Sequence, residues 1–152
     1  MILNRQRRVR VSLGDLRKFL ARARRALRLP AESLTVCLVT NSEIARWNRA
    51  YRGKRGATDV LSFPADANAK YGGRLLPRRA GQGIVASSYL GDIAIAPAVA
   101  RRNARRFGRA LGEEMRILIL HGMLHLMGYD HETDRGQMDR RERRLRSALG
   151  LD

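Results

Sequence analysis

The segment ILILHGMLHLMGYDH (117–131) contains all three histidines of this chain within one apolar stretch. His121 and His125 are four residues apart, a spacing that places two side chains on the same face of a helix, about 6 Å apart. Apolar residues occupy nearly every other side of that helix, which predicts a helix buried in the middle of a domain. These residues are Ile117, Leu118, Ile119, Leu120, Met123, Leu124, Leu126 and Met127.

Gly128 follows this helix and can adopt the left-handed conformation that ends a helix and reverses the chain. Such a reversal brings His131 back towards His121 and His125. Three neutral imidazoles with an open fourth position are the ligands of a catalytic zinc site rather than of a closed structural one. Unpaired imidazoles on a buried helix are costly to desolvate, and a shared metal removes that cost. We therefore predict one Zn²⁺ ion bound by His121, His125 and His131, although nickel, copper and cobalt also suit these ligands.

The histidine spacing matches the zinc-protease motif H-E-x-x-H-x-x-G-x-x-H, but Gly122 stands where such a protease has its glutamate base. Peptide hydrolysis is a poor fit without that carboxylate. A phosphodiester substrate fits better, because a metal and an arginine together neutralise the charge that develops on phosphorus. The chain has 31 Lys and Arg against 14 Asp and Glu, a formal charge of +17. This excess favours a polyanionic partner such as nucleic acid, and a merely solubilising arginine surface is the alternative.

Hydrophobic patterns elsewhere in the chain predict further strands and helices. Strands are predicted within residues 2–11, 33–40, 60–63 and 90–96, and helices over residues 13–28, 42–51, 97–107, 111–127 and 133–149. Residues 65–89 lack such a pattern and are predicted to form a long surface loop. No internal repeat or low-complexity linker is present, so we expect one α+β domain over residues 1–152.

Cys37 is the only cysteine and lies in the apolar run LTVCLVT (34–40), so an intramolecular disulfide is impossible. We expect a buried, inert thiol there rather than a reactive one. The N-terminal MILNRQRRVRV lacks the apolar region of a signal peptide, and no window is as long as a membrane span. We expect a cytoplasmic protein that has no membrane partner.

Three blocks of sequence together closely resemble the YbeY family of bacterial endoribonucleases that mature ribosomal RNA. They are NRAYRGKRGATDVLSFP (48–64), LGDIAI (90–95) and HGMLHLMGYDH (121–131). The resemblance implies a small mixed sheet packed with helices, and a zinc ion at the three histidines. It also implies a role in late small-subunit rRNA processing, particularly at the 3′ end, and in ribosome quality control. The implied partners are rRNA and the small ribosomal subunit, with no DNA expected.

The arginine that contributes to ribonuclease action in this family corresponds to Arg52. We therefore expect Arg52 and His121 to be the catalytic residues, with Arg52 stabilising the negative charge of the phosphate. The residues alone leave open that Arg52 is one more surface arginine. Family members often carry an acidic residue where this chain has Arg55, which puts any role of that acid in doubt.

Several acidic residues near the predicted site have both a functional and a structural interpretation. Asp130 and Glu132 flank His131 and can orient an imidazole, or can cap the turn and the next helix. Asp59 and Asp92 lie at strand edges, where we favour a structural role. Glu142 lies among the arginines of the last helix, on a face predicted to be solvated, with RNA binding as the alternative.

Three functions remain compatible with these observations. The first is a zinc-dependent endoribonuclease. The second is a metalloprotease or another metallohydrolase, against which Gly122 argues. The third is a ribosome-assembly factor whose metal is structural and which cleaves nothing. An open coordination position favours the first, whereas a fourth protein ligand favours the third.

Overall fold

The computed structural model describes residues 1–65 and 89–151, which form four strands and five helices. The strands are β1 (Ile2–Asn4), β2 (Leu34–Leu38), β3 (Val60–Pro64) and β4 (Gly91–Ile95), and the helices are α1 (Leu13–Ala26), α2 (Asn41–Arg52), α3 (Pro97–Phe107), α4 (Leu111–Leu126) and α5 (Gln137–Leu149). The predicted α+β class with about five helices is confirmed. Except at its two ends, the loop predicted over residues 65–89 lies outside the described residues.

The strands form one mixed sheet, as expected, and their order is β1-β2-β4-β3. β1, β2 and β4 are parallel, whereas β3 is antiparallel to β4 and pairs Phe63 with Asp92. Every residue of β2 and β4 is buried, because helices cover both faces of these central strands. β3 is an edge strand of this sheet, and its residues line the pocket described below.

Helix α4 packs against β3 and β4 of the sheet and against α1, α3 and α5, and most of its residues are buried. Its side chains pack with Val36 and Ile93 of the sheet and with Phe19 of α1 in the larger of two apolar clusters. The prediction of a central buried helix is therefore confirmed. No helix among residues 1–65 and 89–151 is both long enough and apolar enough to span a membrane.

A second apolar cluster covers the opposite face of the sheet and includes Cys37, Ile44 and Phe63. Cys37 has no exposed surface, as predicted. Burial raises the pKa of its thiol, and the neighbouring Arg5 only partly opposes that effect. The thiol therefore stays protonated and unreactive at neutral pH.

Helix α5 begins at Gln137, four residues later than the predicted start at 133. The Asp134 carboxylate accepts hydrogen bonds from the backbone N–H groups of Gly136 and Met138. Gly136 has a φ of +88°, so the chain turns there before the helix begins. An Asx-type turn thus replaces the predicted first turn of helix.

Candidate metal centre

Helix α4 and the turn that follows it bring the three histidines together. The ring centroids of His121 and His125 are 4.7 Å apart, as expected for neighbours four residues apart on a helix. Gly128, with a φ of +97°, reverses the chain after the helix. The His131 ring consequently lies 5.4 Å from that of His121 and 5.1 Å from that of His125. One nitrogen from each ring lies within 4.8 Å of the other two, so the three residues can bind a single metal ion.

Hydrogen bonds determine the tautomers of the two helical histidines. His125 Nδ1 lies 3.0 Å from the backbone carbonyl oxygen of Tyr129, which can only accept a hydrogen bond. His121 Nδ1 lies 2.9 Å from the Glu142 carboxylate. Both Nδ1 atoms therefore carry a proton and donate, so the lone pair of each neutral imidazole lies on Nε2.

These two Nε2 atoms face each other at 3.1 Å. Two unprotonated nitrogens at this distance repel each other unless a cation or a proton lies between them. Two nitrogens bound tetrahedrally to one zinc ion lie about 3.3 Å apart, given a Zn–N bond of about 2.05 Å. The nitrogens of His121 and His125 are thus already spaced as ligands of one metal ion.

The environment of His125 also keeps its imidazole neutral. Burial lowers its pKa, and the nearby His121 and His131 lower it further. The hydrogen bond to Tyr129 and the charge of Asp130 oppose this shift without cancelling it. A metal ligand must be unprotonated, so a lowered pKa favours metal binding at neutral pH.

Glu142 of α5 orients His121 through the hydrogen bond to its Nδ1 atom. The residue is only 9% exposed, and its second carboxylate oxygen accepts a hydrogen bond from Arg146 at 3.1 Å. Burial raises the pKa of Glu142, but the hydrogen bond and charge of His121, together with Arg146, outweigh this and lower it. An ionised carboxylate that accepts from Nδ1 orients an imidazole and makes its Nε2 a stronger ligand. The prediction that Glu142 lies on a solvated face is therefore wrong.

Gly122 lies on the side of α4 that faces the sheet. A Cβ atom there would approach the Ile93 side chain to 2.9 Å, a distance that such contacts do not reach without rearrangement. The Ser62 hydroxyl also donates to the Gly122 carbonyl oxygen at 3.3 Å. A side chain at the position that bears the glutamate base of zinc proteases would therefore force Ile93 to shift.

Arg52 shares a pocket of about 400 Å³ with the three histidines. It is the last residue of α2, and Gly53 ends that helix with a φ of +65°. The guanidinium lies 3.5 Å from the carboxylate of Glu132, which is adjacent to His131. The structure thus brings together all four residues for which the sequence predicted a metal-binding or catalytic role.

The other acidic candidates accept hydrogen bonds that hold loops. Asp130 accepts a hydrogen bond from the backbone N–H of Glu132, and this bond forms the turn. Asp59 accepts hydrogen bonds from the backbone N–H of Val60 and from the Asn103 side chain. Asp92 is buried and accepts a hydrogen bond from the Tyr89 hydroxyl. The structural interpretation favoured for Asp59 and Asp92 agrees with these contacts.

Comparison with known proteins identifies the family. The family described as endoribonuclease YbeY matches residues 1–150. The chain belongs to the YbeY family.

Three of its relatives carry the name endoribonuclease YbeY. The Koribacter versatilis protein is 39% identical over 151 residues, which covers 99% of this chain and 86% of the relative. The Solibacter usitatus protein is 45% identical over 111 residues, covering 73% and 62%. The Aquifex aeolicus protein is 35% identical over 144 residues, covering 95% and 85%.

A solved structure shows the same fold as this YbeY family member. The solution structure of a Thermotoga maritima protein matches it with a TM-score of 0.60 at 23% sequence identity. The match covers 98% of this chain and 89% of the other. At this level of identity, the likeness concerns the fold alone.

Sequence reasoning missed two residues of this YbeY site, Glu142 and Tyr51. Glu142 lies in register with the apolar stripe of α5, between Met138 and Leu145. An acid in such a stripe was the signal that it is buried and needs a partner. Tyr51 lines the pocket with 40% of its surface exposed, and its ring contacts Phe63 edge-on at 5.3 Å. No sequence pattern distinguished Tyr51 from an ordinary helix residue.

Proposed function

We propose that this chain is a metal-dependent endoribonuclease with Zn²⁺ bound by His121, His125 and His131. We further propose that it acts in the cytoplasm on the 3′ end of 16S rRNA within the small ribosomal subunit, and in ribosome quality control. The observation that carries the proposal is a single pocket in which three imidazoles converge beside the Arg52 guanidinium. The relatives named endoribonucleases support the nuclease activity, and the resemblance to the family supports the rRNA target.

A bound zinc ion would supply positive charge beside the scissile phosphate and would lower the pKa of a water molecule there. Arg52 is placed to donate hydrogen bonds to the same phosphate and to stabilise its developing charge. Its partner Glu132 is half exposed, and ion pairs of this kind contribute roughly 0–1 kcal/mol. The guanidinium can therefore turn from Glu132 towards a phosphate at little cost.

The remaining pocket surface suits a nucleotide better than a peptide. The exposed Tyr51 ring, held edge-on by the buried Phe63, offers a nucleobase a stacking surface. Gly122 lacks the carboxylate of zinc proteases, and a side chain there would force Ile93 to shift. The charge of +17 attracts a polyanion without reading its sequence, so binding should weaken steeply with salt.

The test combines metal analysis with cleavage of a 3′-extended 16S rRNA precursor, free and within the small subunit. We expect His125→Ala to lose metal and cleavage together. Arg52→Glu should retain the metal and lose cleavage, because the charge at the phosphate is reversed. Arg49→Glu is the matched control, since Arg49 is exposed on the same helix and does not line the pocket. It should cleave far better than Arg52→Glu.

The same assay separates the two alternative functions. Full cleavage by metal-free His125→Ala protein would contradict the proposal. A metal-loaded chain that binds the small subunit and cleaves no RNA would indicate an assembly factor with a structural metal. Zinc-dependent cleavage of an unstructured peptide, with RNA left intact, would indicate a metallohydrolase of another class.

A further inference from the structure

The C-terminal end of α3 carries an exposed aromatic ring beside a row of arginines. Phe107 is 60% exposed, more than any other large apolar side chain described. The helix sequence PAVARRNARRF contains no acidic residue. Its four arginines are all exposed, and none forms an ion pair with a described residue; they are Arg101, Arg102, Arg105 and Arg106. This end of α3 therefore combines uncompensated positive charge with an accessible ring.

The Phe107 ring contacts the Arg109 side chain, which is itself held by an ion pair. The Arg109 guanidinium lies 5.2 Å from the centre of the Phe107 ring, within the range of a cation–π contact. The same guanidinium donates to the Glu114 carboxylate at 3.0 Å, and Glu114 is only 4% exposed. Because Arg109 is held by a buried acid, it supports the Phe107 ring in one position. A ring supported in this way loses little freedom when a ligand stacks on it.

The helix that carries Phe107 also contacts a residue of the metal pocket. The Asn103 side chain donates to the Asp59 carboxylate at 3.2 Å, and Asp59 lines that pocket. Phe107 is four residues beyond Asn103, about 6 Å along the same side of the helix. Arg102 and Arg106 border this side, since successive residues are separated by about 100° around the axis. A nucleic-acid strand that leaves the pocket past Asp59 thus reaches Phe107 within about one turn of α3.

We propose that Arg102, Arg106 and Phe107 form a second binding surface, on which single-stranded RNA lies as it leaves the metal pocket. The two arginines bind its phosphates, and one unpaired base stacks on Phe107. Single strands are recognised by this combination of a basic track with exposed aromatic rings. A duplex fits the surface less well, because its bases are stacked on each other and offer no free face. The proposal rests on the proposed function, since it assumes that the pocket receives RNA.

The first test is the affinity of the metal-loaded chain for a single-stranded oligouridine of about 12 nucleotides, a length within the range that such surfaces occupy. Fluorescence anisotropy gives the affinity, and a gel run afterwards verifies that the RNA is intact. We expect Phe107→Ala to weaken binding about 5- to 150-fold, the range found for loss of one stacked base. Phe107→Tyr keeps an aromatic face and should bind like the wild type. Inorganic polyphosphate offers no base, so Phe107→Ala should leave its affinity unchanged.

The second test concerns the arginines. We expect the double variant Arg102→Gln/Arg106→Gln to bind the RNA more weakly and to reduce the salt dependence by about two phosphate contacts. Arg17→Gln/Arg25→Gln removes the same charge from exposed positions of α1 and is the matched control. It should reduce binding and its salt dependence clearly less.

Two results would overturn this second surface. One is wild-type RNA affinity in Phe107→Ala protein whose thermal unfolding is unchanged. The other is an equal loss in the α1 and α3 double variants, which would show that only total charge matters. Failure of the proposed function looks different: the wild-type chain would then bind the RNA through Phe107 but cleave no RNA at all.

Discussion

The two histidines of α4 and the histidine of the following turn are positioned in different ways. His121 and His125 lie on a buried helix, and each donates its Nδ1–H to a defined acceptor. His131 lies on an exposed turn, and its imidazole forms no hydrogen bond with a described residue. Folding of the chain thus orients two candidate ligands, whereas the third is only brought near them.

This difference divides the site into a preformed pair, His121 and His125, and a third residue, His131, that approaches the pair. The Nε2 atoms of His121 and His125 are 3.1 Å apart, close to the spacing that one zinc ion requires. The ligand atoms of the whole triad lie within 4.8 Å, so His131 has some distance to move when a metal binds. The helical pair should therefore contribute affinity through preorganisation, whereas His131 completes the coordination.

The largest expected effect comes from removing one histidine of the preformed pair. We expect His125→Ala to abolish stoichiometric zinc binding, because neither remaining imidazole has a partner at ligand spacing. His131→Ala leaves the helical pair intact and should still bind zinc, although more weakly than the wild type. Isothermal titration calorimetry of both variants makes the comparison. If both variants lost the metal to the same extent, the helical pair would have no special role.

A smaller effect is expected from changing Glu142, which accepts the hydrogen bond of His121 Nδ1. Glu142→Gln removes the negative charge that His121 Nδ1 contacts, and we expect roughly 10-fold weaker zinc binding. Competition with a chelator measures this change. Asp139→Asn is the control, because Asp139 is exposed on the same helix and forms an ion pair with Arg143 rather than a contact with His121. An equal effect of both substitutions would show that Glu142 acts through general charge rather than through His121.

The packing of α4 can be tested without touching any ligand. Gly122→Ala places a methyl group against Ile93, and we expect a loss of about 1–3 kcal/mol in the free energy of unfolding. Gly112→Ala is the control on the same helix, where a methyl group meets only an Arg116 atom at 3.8 Å. That substitution should be neutral or stabilising by up to about 1 kcal/mol. Urea titrations of both variants measure the difference, and equal midpoints would contradict the tight contact at Ile93.

The smallest effect is expected at the exposed turn. Glu132→Gln removes the ion pair with Arg52, whose partners are 25% and 50% exposed. Exposed pairs contribute little, so the free energy of unfolding should change by less than about 1 kcal/mol. The metal should remain bound, because Glu132 contacts no imidazole. Urea titration and metal analysis check both expectations, and loss of the metal would mean that this acid helps to position His131.

Much of this architecture follows from local patterns. The periodicity of residues 111–127 predicted a buried helix, and the structure places α4 there to within one residue. The spacing of His121 and His125, with Gly128 after them, predicted that the three histidines meet. These features depend on helix geometry and on one glycine, both of which act over a few residues and are therefore readable from the sequence.

The sequence by itself determined the candidate ligand residues, the helix that carries two of them and the absence of a glutamate at position 122. Only the tertiary structure decided which side chains contact the site residues. It brings Glu142 to His121 across 21 residues and Glu132 to Arg52 across 80. It also shows that Gly122 faces Ile93 rather than the pocket. Contacts between distant segments depend on how the helices pack on the sheet, and no local periodicity encodes that packing.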